Sequence, residues 1–148
     1  MGQPNWAKDH VKRYKASNGV DGHIWDGLDG AAQYKGEFPT LLLTTTGRKT
    51  GKPRTTPLIY GRYQGQYVVI ASQGGRPHHP GWYHNIQNDP KVELQVVADI
   101  FHATAKTVFG SQLTRLWQMM VDIYPPYEDY KEKASQFREI PMVVLSPD

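Results

Sequence analysis

The stretch FPTLLLTTTGRKTGKPRTTPLIY, residues 38–60, decides the fold of this chain. Residues 38–46 are apolar and rich in extended-favouring side chains, and they predict a strand. Residues 53–61 continue in the same way and predict a second strand. Gly47 and Gly51 mark a short turn between the two runs. The segment therefore predicts a strand, a basic turn and a second strand.

The turn between these strands carries four cationic side chains, Arg48, Lys49, Lys52 and Arg54. Backbone N–H groups at glycines and long cationic side chains can surround a phosphate or a carboxylate, so the turn is a candidate anion site. It is not a nucleotide P-loop, because three residues separate its glycines and Pro53 follows Lys52. A solvated hairpin turn is an equally open interpretation, since charged turns are common on antiparallel sheets.

Outward from this segment, alternating and β-branched runs predict four more strands, at residues 67–72, 91–97, 100–109 and 142–145. Helices are predicted at residues 6–14, at 82–88, from an N-cap at Ser111, and around Tyr127 and Tyr130. Six strands joined mostly by tight turns predict a mainly β (α+β) fold. We expect a small six-stranded antiparallel barrel with peripheral helices.

The chain is expected to divide into an N-terminal helix with an irregular arm, residues 1–37, and a barrel domain, residues 38–148. The helix is weakly amphipathic and basic, with Trp6, Val11 and Tyr14 expected on one face. Docking of this face on the protein's own domain is favoured over contact with a membrane.

Size and composition limit the possible functions. The 148 residues carry a net charge of +3 and a pI near 9.1, which favours a small anionic ligand over a polyanion surface. There is no cysteine, which excludes disulfides and thiolate chemistry. No run approaches the roughly 18 apolar residues of a membrane span, and the N-terminus lacks the order of a secretory signal. We expect a cytoplasmic protein, with peripheral contact at the inner membrane face as the less favoured option.

Two further segments are candidates for a site. The run Ser72-Gln73-Gly74-Gly75 ends a strand, where a planar polar ligand could approach the backbone, although a plain glycine turn is an equal alternative. Tyr124, Tyr127 and Tyr130 recur every three residues, which brings their phenols to one side of a helix. Core packing is the commoner role of such aromatics, but a protonated phenol in a pocket can donate a hydrogen bond or a proton.

Metal and hydrolase chemistry are not expected. His78 and His79 are adjacent in a loop, and no paired histidine motif supports a metal site. No Gly-x-Ser-x-Gly elbow is present, which argues against a serine hydrolase.

Four ordered motifs carry a resemblance over residues 38–146. They are Leu-Leu-Thr-Thr-Thr-Gly-Arg-Lys-Thr-Gly with Pro53-Arg54 and Pro57-Leu58, then Ala71-Ser72-x-Gly74-Gly75, then Pro80-x-Trp82-Tyr83-x-Asn85 with Asn88-x-Pro90, then Tyr124-Pro125-x-Tyr127-x-Asp129-Tyr130. Together they resemble the deazaflavin-dependent nitroreductase family, the split β-barrel reductases that use the 8-hydroxy-5-deazaflavin coenzyme F420.

The resemblance implies an FMN-binding-like split β-barrel with the cofactor in a groove at its mouth. The cofactor-binding residues that it implies are Arg48, Lys49, Thr50, Arg54, Thr55, Thr56, Pro57, Leu58, Ile59, Ile70, Ala71, Ser72, Gln73, Gly81, Trp82, Tyr83 and Tyr127. The catalytic residues that it implies are Ser72, Tyr124, Tyr127 and Tyr130. Ile59 and Gln73 depart from the best-known nitroreductase pattern, which has an aromatic residue and a lysine there. Both differences weaken the case for nitroimidazole reduction.

The implied activity is hydride transfer from reduced F420 to an electron-poor small molecule, such as an activated C=C bond, a quinone or a nitro compound. An FMN-binding oxidoreductase of the same fold and a non-catalytic deazaflavin-binding protein are alternatives. A nucleic-acid-binding barrel would also use a basic hairpin and aromatics, but the modest net charge argues against it.

Overall fold

The computed structural model describes residues 3–148. Its strands are β1 (Ile24–Trp25), β2 (Phe38–Thr46), β3 (Pro53–Ile59), β4 (Gly61–Tyr63), β5 (Gln66–Ile70), β6 (Lys91–Val96), β7 (Asp99–Val108) and β8 (Met142–Pro147). Its helices are α1 (Asn5–Ala16), α2 (Gly81–Asn88), α3 (Gly110–Ile123) and α4 (Pro126–Ala134), with a 3-10 turn at Gln73–Gly75.

The strands form one antiparallel sheet in the order β1-β2-β6-β7-β8-β5-β4, with β3 also paired to β2. Tyr60 alone separates β3 from β4, yet β3 bonds to β2 and β4 bonds to β5. Because β2 and β5 lie far apart in the strand order, the sheet must curl until these two regions approach each other at Tyr60. The result is a curled antiparallel half-barrel, which confirms the predicted α+β class.

Two sequence predictions are corrected here. Each of the six predicted strands is present, but the structure divides the predicted strand 53–61 at Tyr60 and adds β1 in the arm, so residues 3–148 contain eight strand segments. The division occurs because the two halves bond to different partners, which local propensity does not reveal. The predicted N-cap at Ser111 is wrong, since α3 already begins at Gly110 and no side chain caps it.

Both faces of the central strands are buried, and alternate residues enter two separate cores. Val68 and Ile70 of β5 pack in a cluster with α3 and α4, whereas Tyr67 and Val69 pack in a second cluster with α2. The period-two geometry of a strand produces this division. The first cluster contains Tyr124 and Tyr127, so the sheet and the tyrosine helix are held together by the same core.

Helix α1 packs against the sheet through a different face from the predicted one. Its buried residues are Ala7, His10 and Tyr14, at helical spacing, whereas Trp6 and Val11 are only half-buried. The predicted face is therefore right for Tyr14 alone. The apolar body of His10 was missed because its residue type is not counted as hydrophobic.

Tyr14 joins α1 to the sheet, as the prediction of docking requires. Its hydroxyl donates to the carbonyl of Thr40 at 3.0 Å and accepts the N–H of Val97 at 2.8 Å. Burial raises the pKa of Tyr14 to about 12. The division of the chain at residue 37 stays a prediction. No helix within residues 3–148 is long and apolar enough to cross a bilayer.

Candidate functional site

A cavity of about 420 Å³ lies where the N-terminal segment and α4 face the sheet. It brings together the following predicted site residues: Thr56, Pro57, Leu58, Ile59, Ile70, Ser72, Gln73, Trp82, Tyr124, Tyr127 and Tyr130. Of the remaining predicted residues, Arg48, Lys49, Thr50, Arg54, Thr55, Ala71, Gly81 and Tyr83, none lines this cavity in the part of the chain that the structure describes.

The three tyrosines form one aromatic cluster at the cavity wall. The hydroxyl oxygens of Tyr124 and Tyr130 lie 3.0 Å apart, and the rings of Tyr124 and Tyr127 meet edge to face with centroids 5.0 Å apart. Tyr124 directly follows α3, while the other two project from the first turns of α4. Pro125 and Pro126 fix the backbone between these positions.

Burial raises the pKa of each of these three phenols. For Tyr124 the hydrogen bond with Tyr130 raises the pKa further, and for Tyr127 the neighbouring Tyr130 does so. All three are therefore protonated at neutral pH. They can donate hydrogen bonds or protons but cannot act as bases there.

Two buried side chains at the cavity, Tyr127 and Ser72, have hydroxyl groups without a hydrogen-bond partner within residues 3–148. The Tyr127 ring is 4% exposed and Ser72 is 9% exposed, and both side chains line the cavity. Neither hydroxyl makes a side-chain hydrogen bond, in contrast to the paired hydroxyls of Tyr124 and Tyr130. Neither hydroxyl oxygen is among the fully buried unpaired atoms of residues 3–148, so both hydroxyls are accessible from the cavity and available to a molecule that occupies it.

The loop after β5 has a conformation that few side chains adopt. Gln73, Gly74 and Gly75 have positive φ angles of 45°, 64° and 78°. The Gln73 side chain lines the cavity, and its Oε1 atom is buried without a hydrogen-bond partner among residues 3–148. The sequence predicted a ligand at this loop, and the structure adds an unsatisfied acceptor.

The basic turn reaches the site through α2. The Arg48 guanidinium donates to the Asn85 Oδ1 atom at 2.9 Å and to the Gly81 carbonyl at 3.3 Å. Asn85 is buried, and its Nδ2 group donates to the Thr45 hydroxyl at 3.0 Å. Pro80 and Trp82, on either side of Gly81, line the cavity. Arg48, Lys49 and Arg54 are all exposed, and Arg48 is the one whose side chain contacts α2 beside the cavity.

The start of α2 adds to the positive character of this region. No side chain caps this helix, which follows Pro80 directly. The Tyr83 N–H donates to the Pro80 carbonyl, so within residues 3–148 the Gly81 and Trp82 N–H groups are left without a partner and carry partial positive charge. An anionic group beside Arg48 and Gly81 would meet both features.

Three predicted residues contact other groups instead. Tyr83 is buried, with its hydroxyl 2.9 Å from the Thr107 hydroxyl. Thr55 has its hydroxyl 2.8 Å from that of Thr44, and the Thr50 hydroxyl accepts the N–H of Lys52.

The N-terminal segment supplies cavity residues that sequence reasoning missed. They include Gln3, Trp6, Ala7, His10, Trp25, Asp29, Gly30 and Ala31. The rings of Trp6 and Trp25 stack with centroids 5.5 Å apart, and the Trp25 indole N–H donates to Asp29 at 2.6 Å. The two tryptophans of this segment were the only signal of this role.

A second concavity, of about 500 Å³, lies on another part of the sheet and is more open. Lys91, Glu93, His102 and Asp148 contribute charged or polar groups to it, and none of the predicted site residues does. No group of three or more potential metal-ligating side chains converges within residues 3–148. The tyrosine-lined cavity is therefore the better candidate site.

A family model described as F420H(2)-dependent quinone reductase matches residues 6–147. The chain belongs to this family. It is 41% identical over 140 residues to the F420H(2)-dependent quinone reductase Rv1261c of Mycobacterium tuberculosis, covering 93% of this chain and 87% of that one. The predicted family, oxidoreductase class and F420 dependence are thereby confirmed.

Solved structures agree with this assignment. A structure titled as an F420-H2 dependent reductase (FDR-A) has a TM-score of 0.67 and 38% identity, covering 73% of this chain and 94% of that one. A second, titled as a domain-swapped dimer, has a TM-score of 0.69 and 32% identity, covering 94% and 93%. The haem storage protein HutZ of Vibrio cholerae, at 18% identity and a TM-score of 0.58 over 74% of this chain and 81% of that one, shares the fold alone.

Proposed function

We propose that this protein transfers a hydride from reduced F420 to a quinone bound in the tyrosine-lined cavity. Within a family of F420H(2)-dependent quinone reductases, the observation that carries the proposal is the pair of unpartnered hydroxyls at Ser72 and Tyr127. A quinone presents carbonyl oxygens that need hydrogen-bond donors as they gain electron density. Of the three acceptor classes expected from the sequence, the quinone best matches the family.

The residues around the cavity fit the proposed cofactor. The buried Gln73 Oε1 atom lacks a donor, and a planar ring bearing N–H groups would supply one. Thr56, Pro57 and Leu58 would form the wall on the β3 side. At the other end, Arg48 and the uncapped start of α2 would hold the phosphate and acidic tail. Lys49, Thr50, Arg54 and Gly81 would surround the tail from outside the cavity.

The bound cofactor supplies a hydride, whereas the protein orients the reactants, excludes water and supplies a proton. The apolar walls formed by Ile59, Ile70 and Trp82 exclude water from the reacting atoms. A hydride from reduced F420 would bring two electrons and one hydrogen to the quinone, so one further proton is needed. Tyr127 would donate a proton from its hydroxyl to the oxygen that gains negative charge, which completes the hydroquinone, and the resulting phenolate would regain a proton from solvent after the product leaves.

Tyr124 and Tyr130 have a supporting role in the proposal. One of these hydroxyls donates to the other, so the acceptor of that bond keeps its own O–H free for the cavity. The pair can orient the substrate oxygen while Tyr127 transfers the proton. Ser72 offers a further donor in the cavity wall.

The rival functions remain distinguishable. An FMN-binding oxidoreductase would need only one phosphate site, whereas four cations in the basic turn suit a longer anionic tail.

A close relation to FMN-binding barrels is part of the proposal, as is the division into an arm, residues 1–37, and a deazaflavin-binding domain, residues 38–148. We also propose a cytoplasmic location with a small-molecule acceptor and no nucleic acid.

The test is oxidation of reduced F420 by the purified protein with a soluble quinone such as menadione. We expect F420 binding in the absence of quinone, and turnover with menadione that exceeds turnover with a nitroimidazole or an enone. Binding without turnover on any acceptor would favour the non-catalytic alternative. Binding of FMN in preference to F420 would overturn the proposal.

A further inference from the structure

Arg138 lies outside the cavity, in the segment between α4 and β8, and its guanidinium group makes an unusual set of contacts. It donates from Nη2 to the Ser72 carbonyl at 2.8 Å and from Nη1 to the Ala71 carbonyl at 3.0 Å. Its Nε group donates to the Arg76 carbonyl at 3.0 Å, and Nη1 also lies 3.1 Å from the His79 Nδ1 atom. A single side chain thus holds both ends of the loop that carries Gln73.

The loop needs such support. Gln73 has a φ of 45°, which costs a residue with a side chain of the order of 1 kcal/mol or more. Gly74 and Gly75 continue at positive φ, and only the bonds from Gly75 N–H to the Ser72 carbonyl and from Arg76 N–H to the Gln73 carbonyl close it internally. Strained backbone persists only where its surroundings over-determine it.

The same loop contacts the tyrosine helix. A side chain at Gly75 would lie 3.0 Å from the Cα and carbonyl oxygen of Tyr130, so the two backbones are in direct contact. The Arg138 backbone N–H bonds to the carbonyl of Ala134, the last residue of α4. Arg138 therefore ties the end of α4 to the loop that packs against Tyr130 in the middle of the same helix.

We propose that Arg138 is a positioning residue for the proposed reaction, which holds Ser72 and Gln73 in the cavity wall and keeps Tyr130 in register with them. The inference rests on the proposed function. It differs from a charge effect, because three of the four acceptors are neutral carbonyls and the fourth is a histidine nitrogen. What matters is the planar fork of donors.

Arg138→Lys tests this positioning role, because lysine keeps the positive charge and lacks the planar set of guanidinium N–H donors. We expect the Gly75 and Arg76 amides to exchange hydrogen about tenfold faster or more, with β-strand amides unchanged. We expect kcat at saturating F420H2 and quinone to fall about tenfold, since the hydroxyls would be misplaced. Arg115→Lys, an exposed change outside the cavity, should alter neither quantity by more than about twofold.

Unchanged amide exchange together with unchanged kcat in folded Arg138→Lys would overturn the proposal. If that variant does not fold, exchange in the wild-type protein decides, because a clamped loop should be protected as well as β5. Opening of the loop at a much lower free energy than β5 would overturn the proposal. Amide exchange needs no cofactor, so the contacts of Arg138 with the loop can be tested even if the protein does not reduce quinones. Absence of quinone reduction by the wild-type protein would overturn the proposed function alone.

Discussion

The basic turn at residues 47–54 and the tyrosine cluster of Tyr124, Tyr127 and Tyr130 lie at different regions of the candidate site, and they differ in burial and charge. The turn is a continuous segment with exposed cations, held to α2 by the Arg48 contact with Asn85. The cluster is uncharged, with Tyr124 and Tyr127 buried and Tyr130 half-buried, and its residues lie on either side of a helix break.

This difference separates binding from chemistry. Exposed cations attract an anion in free and reacting states alike, so they contribute uniform binding. Buried phenols with raised pKa values are useful only where charge develops on a substrate oxygen. Substitutions in the two regions should therefore change different kinetic constants.

The largest effect is expected for Tyr127→Phe. The change removes the unpartnered hydroxyl and keeps the ring in the core, so kcat should fall about 100-fold, within the usual range for a general acid. The affinity for F420 should change by less than about threefold. Stopped-flow oxidation of F420H2 by menadione measures the first quantity, and fluorescence titration measures the second. Tyr63→Phe, outside the cavity, is the matched control. An equal loss of kcat in Tyr127→Phe and Tyr63→Phe would contradict a special role of the tyrosine cluster in the chemistry.

A smaller loss is expected for Tyr130→Phe. The hydroxyl of Tyr124 would lose its partner but could still donate to the substrate, so kcat should fall about tenfold. The same oxidation assay measures it. A loss larger than that of Tyr127→Phe would transfer the role of proton donor from Tyr127 to the pair.

At the other region, Arg48→Ala should weaken F420 binding about fivefold, in keeping with loss of one exposed charge-assisted contact. The value of kcat at saturating cofactor should stay within about twofold. Its exposed neighbour Lys49, changed to alanine, should have a smaller effect because it lacks the contact with α2. Fluorescence titration compares the two variants, and a lowered kcat in Arg48→Ala would show that the turn also affects the chemistry.

The smallest effect concerns pH. Burial raises the pKa of Tyr127 above its ordinary value near 10, so the phenol should remain a donor and kcat should not decline through phenol ionisation between about pH 7 and about pH 9.5. Because the unfolded phenol ionises first, the stabilisation is complete below about pH 10 and is lost as the pH rises through the folded pKa.

Denaturant unfolding of the wild-type protein and of Tyr127→Phe at about pH 9 and about pH 11 measures this contribution. The free energy of unfolding should fall less in the variant, by up to about 1.4 kcal/mol per pH unit. Equal slopes in the two proteins would contradict a raised phenol pKa.

Sequence reasoning found most of the elements because their signals are local. The boundaries of β2 match the prediction, and the tyrosine helix after Pro125 is present where it was expected. The sequence did not reveal the strand break at Tyr60, because the strand pattern continues through this residue. The break arises because the segments before and after Tyr60 bond to different partner strands. Trp25 was likewise unassignable, because its contacts with Trp6 and Asp29 depend on how the arm returns to the barrel.

The sequence by itself determined the strand and helix types, the basic turn, the family motifs and the side of α4 that carries the phenols, because periodicity and residue type fix these over a few neighbours. The tertiary structure alone decided which hydroxyls are left without partners, how Arg48 meets α2, and how Arg138 holds a loop more than 60 residues earlier in the chain. Those contacts follow from the curling of the sheet. They join distant segments whose meeting no local pattern encodes.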